Sequence, residues 1–212
     1  MSKKGQLWIG TDSRGALIYD ETGHFSEVKT SFSDVRTFLE YDNGEMLIGT
    51  ASGIYVSDGE KTTRLDSIND KLKDQIIQDM AYDSKGNLWV GTFGKGVAIF
   101  GPDLKLLAAL DVSNGFPSNA INAIRCDYSR RMWLATRNGI VLFPTPGNIT
   151  DFSTLVPLDS LGITHVKSIE EDKSHNIWLG TNKGLVRIDG KNLKVSLYSD
   201  SNELESASFI EN

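Results

Sequence analysis

Cysteine is almost missing from this 212-residue chain. Cys126 stands alone, which excludes an internal disulfide and any cysteine-based metal site. Its place at the end of an alternating apolar segment fits a small core residue. Histidine is scarce as well: His24, His165 and His175 fall at unrelated points of the pattern described below, so no paired-histidine centre is expected. No run of 18 apolar residues occurs, hence no membrane-spanning helix. The opening MSKKGQLW lacks the apolar stretch of a signal peptide. Basic residues are in deficit, 22 against 28 acidic ones for a net charge of −6, and they are scattered, which argues against a nucleic-acid surface. Neither a Gly-x-Ser-x-Gly nucleophile nor a phosphate loop is present. Glu170 and Glu171 are neighbours on one strand, so they point to opposite faces and cannot act as a catalytic pair.

What is present is repetition. LWIGT at 7–11, MLIGT at 46–50, LWVGT at 88–92, MWLAT at 132–136 and IWLGT at 177–181 are five versions of one segment. Their closing threonines are 39, 42, 44 and 45 residues apart, a period that points to a propeller or an array of similar units. Each copy follows an alternating lead-in such as INAI at 121–124 and an Asp-led turn at Asp42, Asp83, Asp127 or Asp172. A turn with Gly15, Gly53, Gly96, Gly139 or Gly184 comes next, then a β-branched or aromatic strand and a weaker fourth run. Four short strands with turn residues between them make one antiparallel meander.

The anchor strands are apolar on both faces: Trp89 points one way, Leu88 and Val90 the other. Such sheets must be covered on both sides, which radial stacking provides. Trp8, Leu47, Trp89, Trp133 and Trp178 hold one equivalent position and are read as core between sheets. Gly10, Gly49, Gly91 and Gly180, with Ala135 in the fourth copy, let the next sheet approach. The expectation is a single all-β domain over 1–212, a propeller of five four-stranded antiparallel blades of about 42 residues. The blades run over about 5–30, 34–66, 75–112, 119–158 and 165–199. The tail at 206–212 has the spacing of a sixth lead-in strand, and the first unit lacks one. Either the tail completes the first blade and closes the ring, which is the favoured reading, or the chain is a segment of a larger propeller.

The pattern Asp-x-x-Gly-x-Leu-Trp-x-Gly-Thr followed by Gly-Leu/Ile-x-x-Phe/Tyr-Asp resembles the two-component regulator propeller repeat. DSKGNLWVGTFGKGVAIFG at 83–101 and DKSHNIWLGTNKGLVRID at 172–189 carry it best, and NGFPSNAINAIRCD at 114–127 matches the linking stretch. The departures are Leu47 for Trp, Ala135 for Gly, and Arg130 and His175 at the turn glycine. The resemblance implies an extracytoplasmic, periplasmic sensor segment of a hybrid histidine kinase, responding to oligosaccharides and not itself an enzyme. The kinase and regulator motifs are not in this sequence.

A ligand site is expected where loops converge at one mouth of the propeller. The loops after each anchor strand supply Asp12, Ser13, Arg14, Phe93, Lys95, Arg137, Asn138, Asn182 and Lys183; those between units supply Ser33, Asp34, Phe116, Asn119 and His165. An aromatic face beside Arg, Asn and Asp offers C–H contact and directed hydroxyl bonds, as a sugar ring requires. The chosen residues are Arg14, Phe93, Lys95, Arg137, Asn119, Asn138, Asn182 and His165. No cofactor or metal is expected, because the Asp-led turns each offer one or two oxygens where calcium needs six to eight. The partners expected are an oligosaccharide and, in the alternative of a protein-interaction or self-association scaffold, another protein on the propeller face or a second copy of the chain through a propeller face or an open blade edge; membrane contact by this segment is not expected. His165 is the one residue a lyase-type reaction could use.

Overall fold

The structure, a computed structural model, describes residues 2, 4–41, 43–73, 75–154 and 162–199. Five antiparallel sheets follow one another along the chain. The first holds β1 (Leu7–Gly10), β2 (Ala16–Tyr19) and β3 (Phe25–Glu27). The second holds β4 (Val35–Glu40), β5 (Met46–Thr50), β6 (Gly53–Ser57) and β7 (Thr62–Arg64). A short helix, α1 (Asp66–Leu72), leads to the third: β8 (Ile77–Tyr82), β9 (Leu88–Thr92), β10 (Val97–Phe100) and β11 (Leu106–Leu110). The fourth is β12 (Ile121–Cys126), β13 (Met132–Thr136), β14 (Gly139–Phe143) and β15 (Ser153–Thr154). The fifth is β16 (Val166–Glu171), β17 (Ile177–Thr181), β18 (Gly184–Ile188) and β19 (Val195–Tyr198). Four sheets have the expected four strands, and the first has three among the described residues. The tail strand proposed to complete it, 206–212, lies outside the described residues.

Four apolar seams join the sheets in chain order, and alternate residues of each strand serve alternate seams. Ala16 and Ile18 of the first sheet meet Val35, Met46 and Ile48 of the second. Leu47 and Ile54, on the other face of that second sheet, meet Met80, Leu88 and Val90. Trp89, Val97 and Ile99 then face Ile121, Leu134 and Phe143, and Trp133 and Leu142 face Val166, Leu179 and Val186. Trp89 and Trp133 are therefore fully buried between sheets, as their sequence position requires. Trp8 is partly buried against the first seam. Trp178 is half-buried and packs beside Tyr198, ring centroids 5.6 Å apart, on the face of the fifth sheet turned away from the fourth. On the first sheet the face away from the second carries Leu7, Tyr19 and Phe25, which are 42%, 37% and 58% exposed.

Two polar devices recur with the repeat. At the turn before the anchor strand one Asp oxygen accepts backbone N–H groups, from Lys85 and Asn87 at Asp83 and from Ser174 and Asn176 at Asp172. The other oxygen accepts the indole N–H six residues on: Trp89 at 3.0 Å, Trp133 and Trp178 at 2.8 Å. The turn role follows from the sequence; the indole partner does not. At the far end of the anchor strand, Thr11, Thr50, Thr92, Thr136 and Thr181 each donate Oγ1–H to the carbonyl of the turn glycine, at 2.8–3.0 Å. Each also accepts a loop N–H, from Arg14, Ser52, Lys95, Asn138 or Lys183. Those five glycines all have positive φ, which explains their presence in every turn.

The inner strands are cross-linked one repeat apart. Each of β4, β8, β12 and β16 carries a bulge after its first residue. Arg36 donates to Gln78 Oε1 at 3.1 Å, and Asn122 Nδ2 to the Val166 carbonyl at 2.7 Å. Asp79 accepts Thr37 Oγ1–H at 2.9 Å and the N–H groups of Ile124 and Met80 at 2.7 and 2.8 Å, tying three sheets together. Burial pushes its carboxyl above the usual range in spite of these donors.

The indole bond to Asp172, with those from Asn176 and Ser174, holds that carboxyl well below its usual range. A group whose folded pKa is depressed stabilises the fold above its unfolded pKa and loses that contribution as pH falls through the folded one. Trp178→Phe is expected to be less stable than the parent at neutral pH in urea unfolding. The gap should persist through the ordinary carboxylate range and close only below it. A Cβ at Gly91 would lie 2.6 Å from Ile121 of the next inner strand. Gly91→Ala is therefore expected to cost about 1–3 kcal/mol in the same measurement.

Candidate functional site

Strand direction fixes which loops share a mouth. The Asp-led turns lie at one end of the anchor strands, and the Thr–Gly turns at the other with the connections between sheets. At that second end, in the third, fourth and fifth sheets, the residue after the threonine is tied to the connection that enters its own sheet. Phe93 N–H donates to the Ile76 carbonyl at 3.1 Å, Arg137 N–H to Ala120 at 3.4 Å and Asn182 N–H to His165 at 3.3 Å. The Gly96 N–H reaches Asn119 O of the following connection at 2.8 Å. The mouth is thus a set of fixed loops whose backbone bonds repeat while their side chains differ.

Phe93, Arg137, Asn138 and His165 come together on the third, fourth and fifth sheets. The Arg137 guanidinium lies 4.8 Å from the centroid of the Phe93 ring, which is 41% exposed. Arg137, Asn138, Thr164 and His165 line an open groove of about 490 Å³. Asn138 Nδ2 donates to the Pro117 carbonyl at 2.8 Å, which leaves its own carbonyl oxygen turned to other uses. His165 Nδ1 lies 3.0 Å from Thr164 Oγ1. Thr164 is a groove residue that sequence reasoning missed; its neighbour His165 was the only signal.

The other nominated residues have different stations. Asn182 Oδ1 accepts the N–H groups of Thr164 and His165, both at 3.2 Å, so it holds the groove wall from behind. Asn119 Oδ1 accepts the Val112 N–H at 2.9 Å and shapes the 111–119 connection, where a short 3-10 turn is capped by Asp111. Lys95 is exposed on the loop beside Phe93, and its charge acts on Asp111. Arg14 sits on the first sheet in an ion pair with Glu27 and does not line the groove.

A larger open depression, about 730 Å³, lies at the opposite end, between the Asp-led turns of the fourth and fifth sheets. There Tyr128 stacks on His175, centroids 3.9 Å apart. Its acidic groups are already engaged: Glu171 accepts the Tyr128 N–H and meets His175 Nδ1 at 3.1 Å, and Asp127 holds Arg131 and Trp133. Cys126, half-buried at its edge, has its thiol pushed up by burial and then by Asp127. The smaller groove differs from this depression in having an aromatic-backed cation and no described carboxylate in its lining.

The two-component regulator propeller profile matches residues 71–94 and 160–183. Those stretches include the third anchor strand with Phe93, and the fifth with Thr164, His165 and Asn182. At those two stretches the chain carries the two-component regulator propeller repeat. Among solved structures, this propeller is similar to the extracellular domain of the hybrid two-component system BT3049 from B. thetaiotaomicron, with 34% identity and a TM-score of 0.88 over 99% of the chain. The propeller is also 26% identical to histidine kinase P4 of Formosa agariphila. It spans 29% of the first protein's chain and 20% of the second's length. Virginiamycin B lyase from Staphylococcus aureus, at 15% identity and a TM-score of 0.69 over 94% of this chain and 68% of its own, shares the fold alone.

Asn182→Ala is expected to free the Thr164 and His165 amides. Their hydrogen exchange should quicken on the order of tenfold, for a loss of about 1–1.5 kcal/mol of local bonding. Exchange at Ile48 and Leu134, in the buried anchor strands, should not change.

Proposed function

We propose that this propeller is a ligand-sensing segment of an extracytoplasmic two-component receptor, that it is not catalytic, and that its ligand is an oligosaccharide. The observation that carries the reading is the groove at the mouth of the third, fourth and fifth sheets. It pairs an exposed aromatic face at Phe93 with hydrogen-bonding groups on Arg137, Asn138, Thr164 and His165. Sugar rings are recognised by that combination of apolar C–H contact and directed bonds to hydroxyls. The likeness to the extracellular domain of a hybrid two-component system and to a histidine kinase supports the receptor assignment and a periplasmic location. Fixed loops on stacked sheets suit a sensor, because a preformed groove binds without first having to be ordered.

A second reading, self-association, rests on a different surface. Leu7, Tyr19 and Phe25 line up across β1, β2 and β3 on the face turned away from the second sheet. A second copy could cover that face, and sedimentation equilibrium would show a dimer that Tyr19→Ser weakens.

Binding to the native state alone raises the unfolding free energy by about 2.7 kcal/mol at a hundredfold excess over Kd. A thermal-shift screen of oligosaccharides is expected to give at least one such rise, and Arg137→Ala should abolish it. If no saccharide shifts the melting temperature while a protein partner does, the sensing reading fails.

A further inference from the structure

We infer that the ligand of the groove carries a carboxylate, placing it among the acidic, uronate-type oligosaccharides, and that Arg137 is the residue that selects it. This inference rests on the sensing reading above and narrows it from sugars in general to one chemical class.

Acidic residues outnumber basic ones in the chain, 28 to 22, and most of its arginines have found a carboxylate. Arg14 bonds Glu27, Arg36 bonds Asp34, Arg64 bonds Asp66, Arg125 bonds Glu170 and Arg131 bonds Asp127. Among the described residues neither Arg130 nor Arg137 has a carboxylate partner, but Arg130 lies beside Asp127, Glu171 and Asp172, whereas no described carboxylate lines the groove that Arg137 faces. In an acid-rich protein, a groove side without described acids offers an anion a place where it is not repelled.

Geometry then says which anion. The guanidinium carbon lies over the Phe93 ring, 4.8 Å from its centroid, a cation–π contact that holds the group in place. The five N–H donors radiate in the plane of the group, and no described residue engages them in a hydrogen bond or ion pair. Two parallel N–H bonds from one edge of the group match the two oxygens of a planar carboxylate. A lysine ammonium would supply the same charge with no such fork. A sulfate ester presents its oxygens as a pyramid and would gain less from the planar edge. Around this anchor, Asn138, Thr164 and His165 provide the shorter-range bonds that hydroxyl groups on the same ring require. The groove's volume of about 490 Å³ is in the range of small-ligand sites, roughly 300–1,000 Å³.

The test compares uronate oligosaccharides, namely oligogalacturonate, oligoalginate and oligoglucuronate, with their carboxyl-reduced forms, which keep ring and linkage but lose the charge. Calorimetric titration and thermal shift of the intact chain are expected to show at least one uronate binding on the order of tenfold or more tighter than its reduced form. Added salt should narrow the difference. Arg137→Lys should remove most of the preference although the charge remains, and Phe93→Leu should weaken uronate binding severalfold by releasing the guanidinium. Arg14→Gln, outside the groove lining, should leave it unchanged. Both Phe93 and Arg137 are exposed, so equal melting temperatures without ligand would show that the variants fold. Neutral oligosaccharides bound as tightly as the uronates, or a preference that survives Arg137→Lys, would overturn the carboxylate assignment and leave the sensing reading standing. A sulfated neutral oligomer that outcompetes every uronate would do the same. Silence from every saccharide would sink both.

Discussion

Sheets that are apolar on both faces cannot end in water, and that constraint organises this molecule. The anchor strands β5, β9 and β13 are buried at all five positions. Each therefore needs a neighbour before and behind, and the chain supplies it by repeating itself. The polar devices are secondary in magnitude. Truncating a buried Trp costs about 3–5 kcal/mol, whereas a single buried hydrogen bond left unmade costs about 1–3. Burial of Trp89 and Trp133 thus sets the spacing of the sheets, and the Asp–indole bonds decide which way each ring points within it. A ring pinned at its N–H by a carboxylate at the strand's own turn cannot swing into a neighbouring seam.

Most of the scaffold was legible in the sequence because repetition gives five readings of one pattern. The strand positions, the inward tryptophans, the turn glycines and the close-approach glycines could each be checked against their equivalents. What escaped was written only once. Helix α1 lies between the second and third sheets, where the sequence offers no repeat to compare. It exists because β7 is short: Asn69, on the helix, bonds the Ile54 N–H at 2.8 Å and its carbonyl at 2.7 Å, covering part of the β6 edge that strand pairing leaves. Ile68 and Leu72 fill the seam behind it. The Asp–indole bond was missed for a different reason. A spacing of six residues across a turn and a strand brings two side chains together only once the turn's geometry is known.

The departures from the repeat show which parts of it are required by sterics and which by packing. Arg130 and His175 stand where Gly86 stands in the third copy, and all three have positive φ, 65°, 65° and 77°. The turn keeps its left-handed backbone at a cost of roughly 1–2 kcal/mol for a residue with a Cβ, held by the Asp bond to the N–H that follows, from Arg131 to Asp127 and from Asn176 to Asp172. Ser2 occupies the Asp position of the first copy and still accepts the Gln6 N–H, at 3.2 Å. A hydroxyl thus closes the turn, but it offers only one oxygen where the carboxylate serves backbone and indole together, and Trp8 is the less buried ring.

The candidate site was legible only in part, and the reason lies in how a repeat protein divides its labour. Backbone bonds at the mouth recur from sheet to sheet, so equivalence locates the loops without ranking their side chains. Arg14 and Arg137 occupy corresponding turns, and the sequence gives no ground for preferring one. Coordinates separate them by what stands opposite: Glu27 neutralises the first, while the second lies on Phe93 beside a groove without described acids. Asn119 and Asn182, chosen as ligand groups, turn out to hold loops in place, because an amide beside free backbone N–H groups satisfies them first. What distinguishes one mouth loop from another is the few side chains that the scaffold leaves without a partner among the described residues. The scaffold can be shared with a lyase at 15% identity precisely in the sense that it commits to no chemistry. A pairing found in one turn and absent from its equivalent is therefore more informative about function than any feature the five copies share.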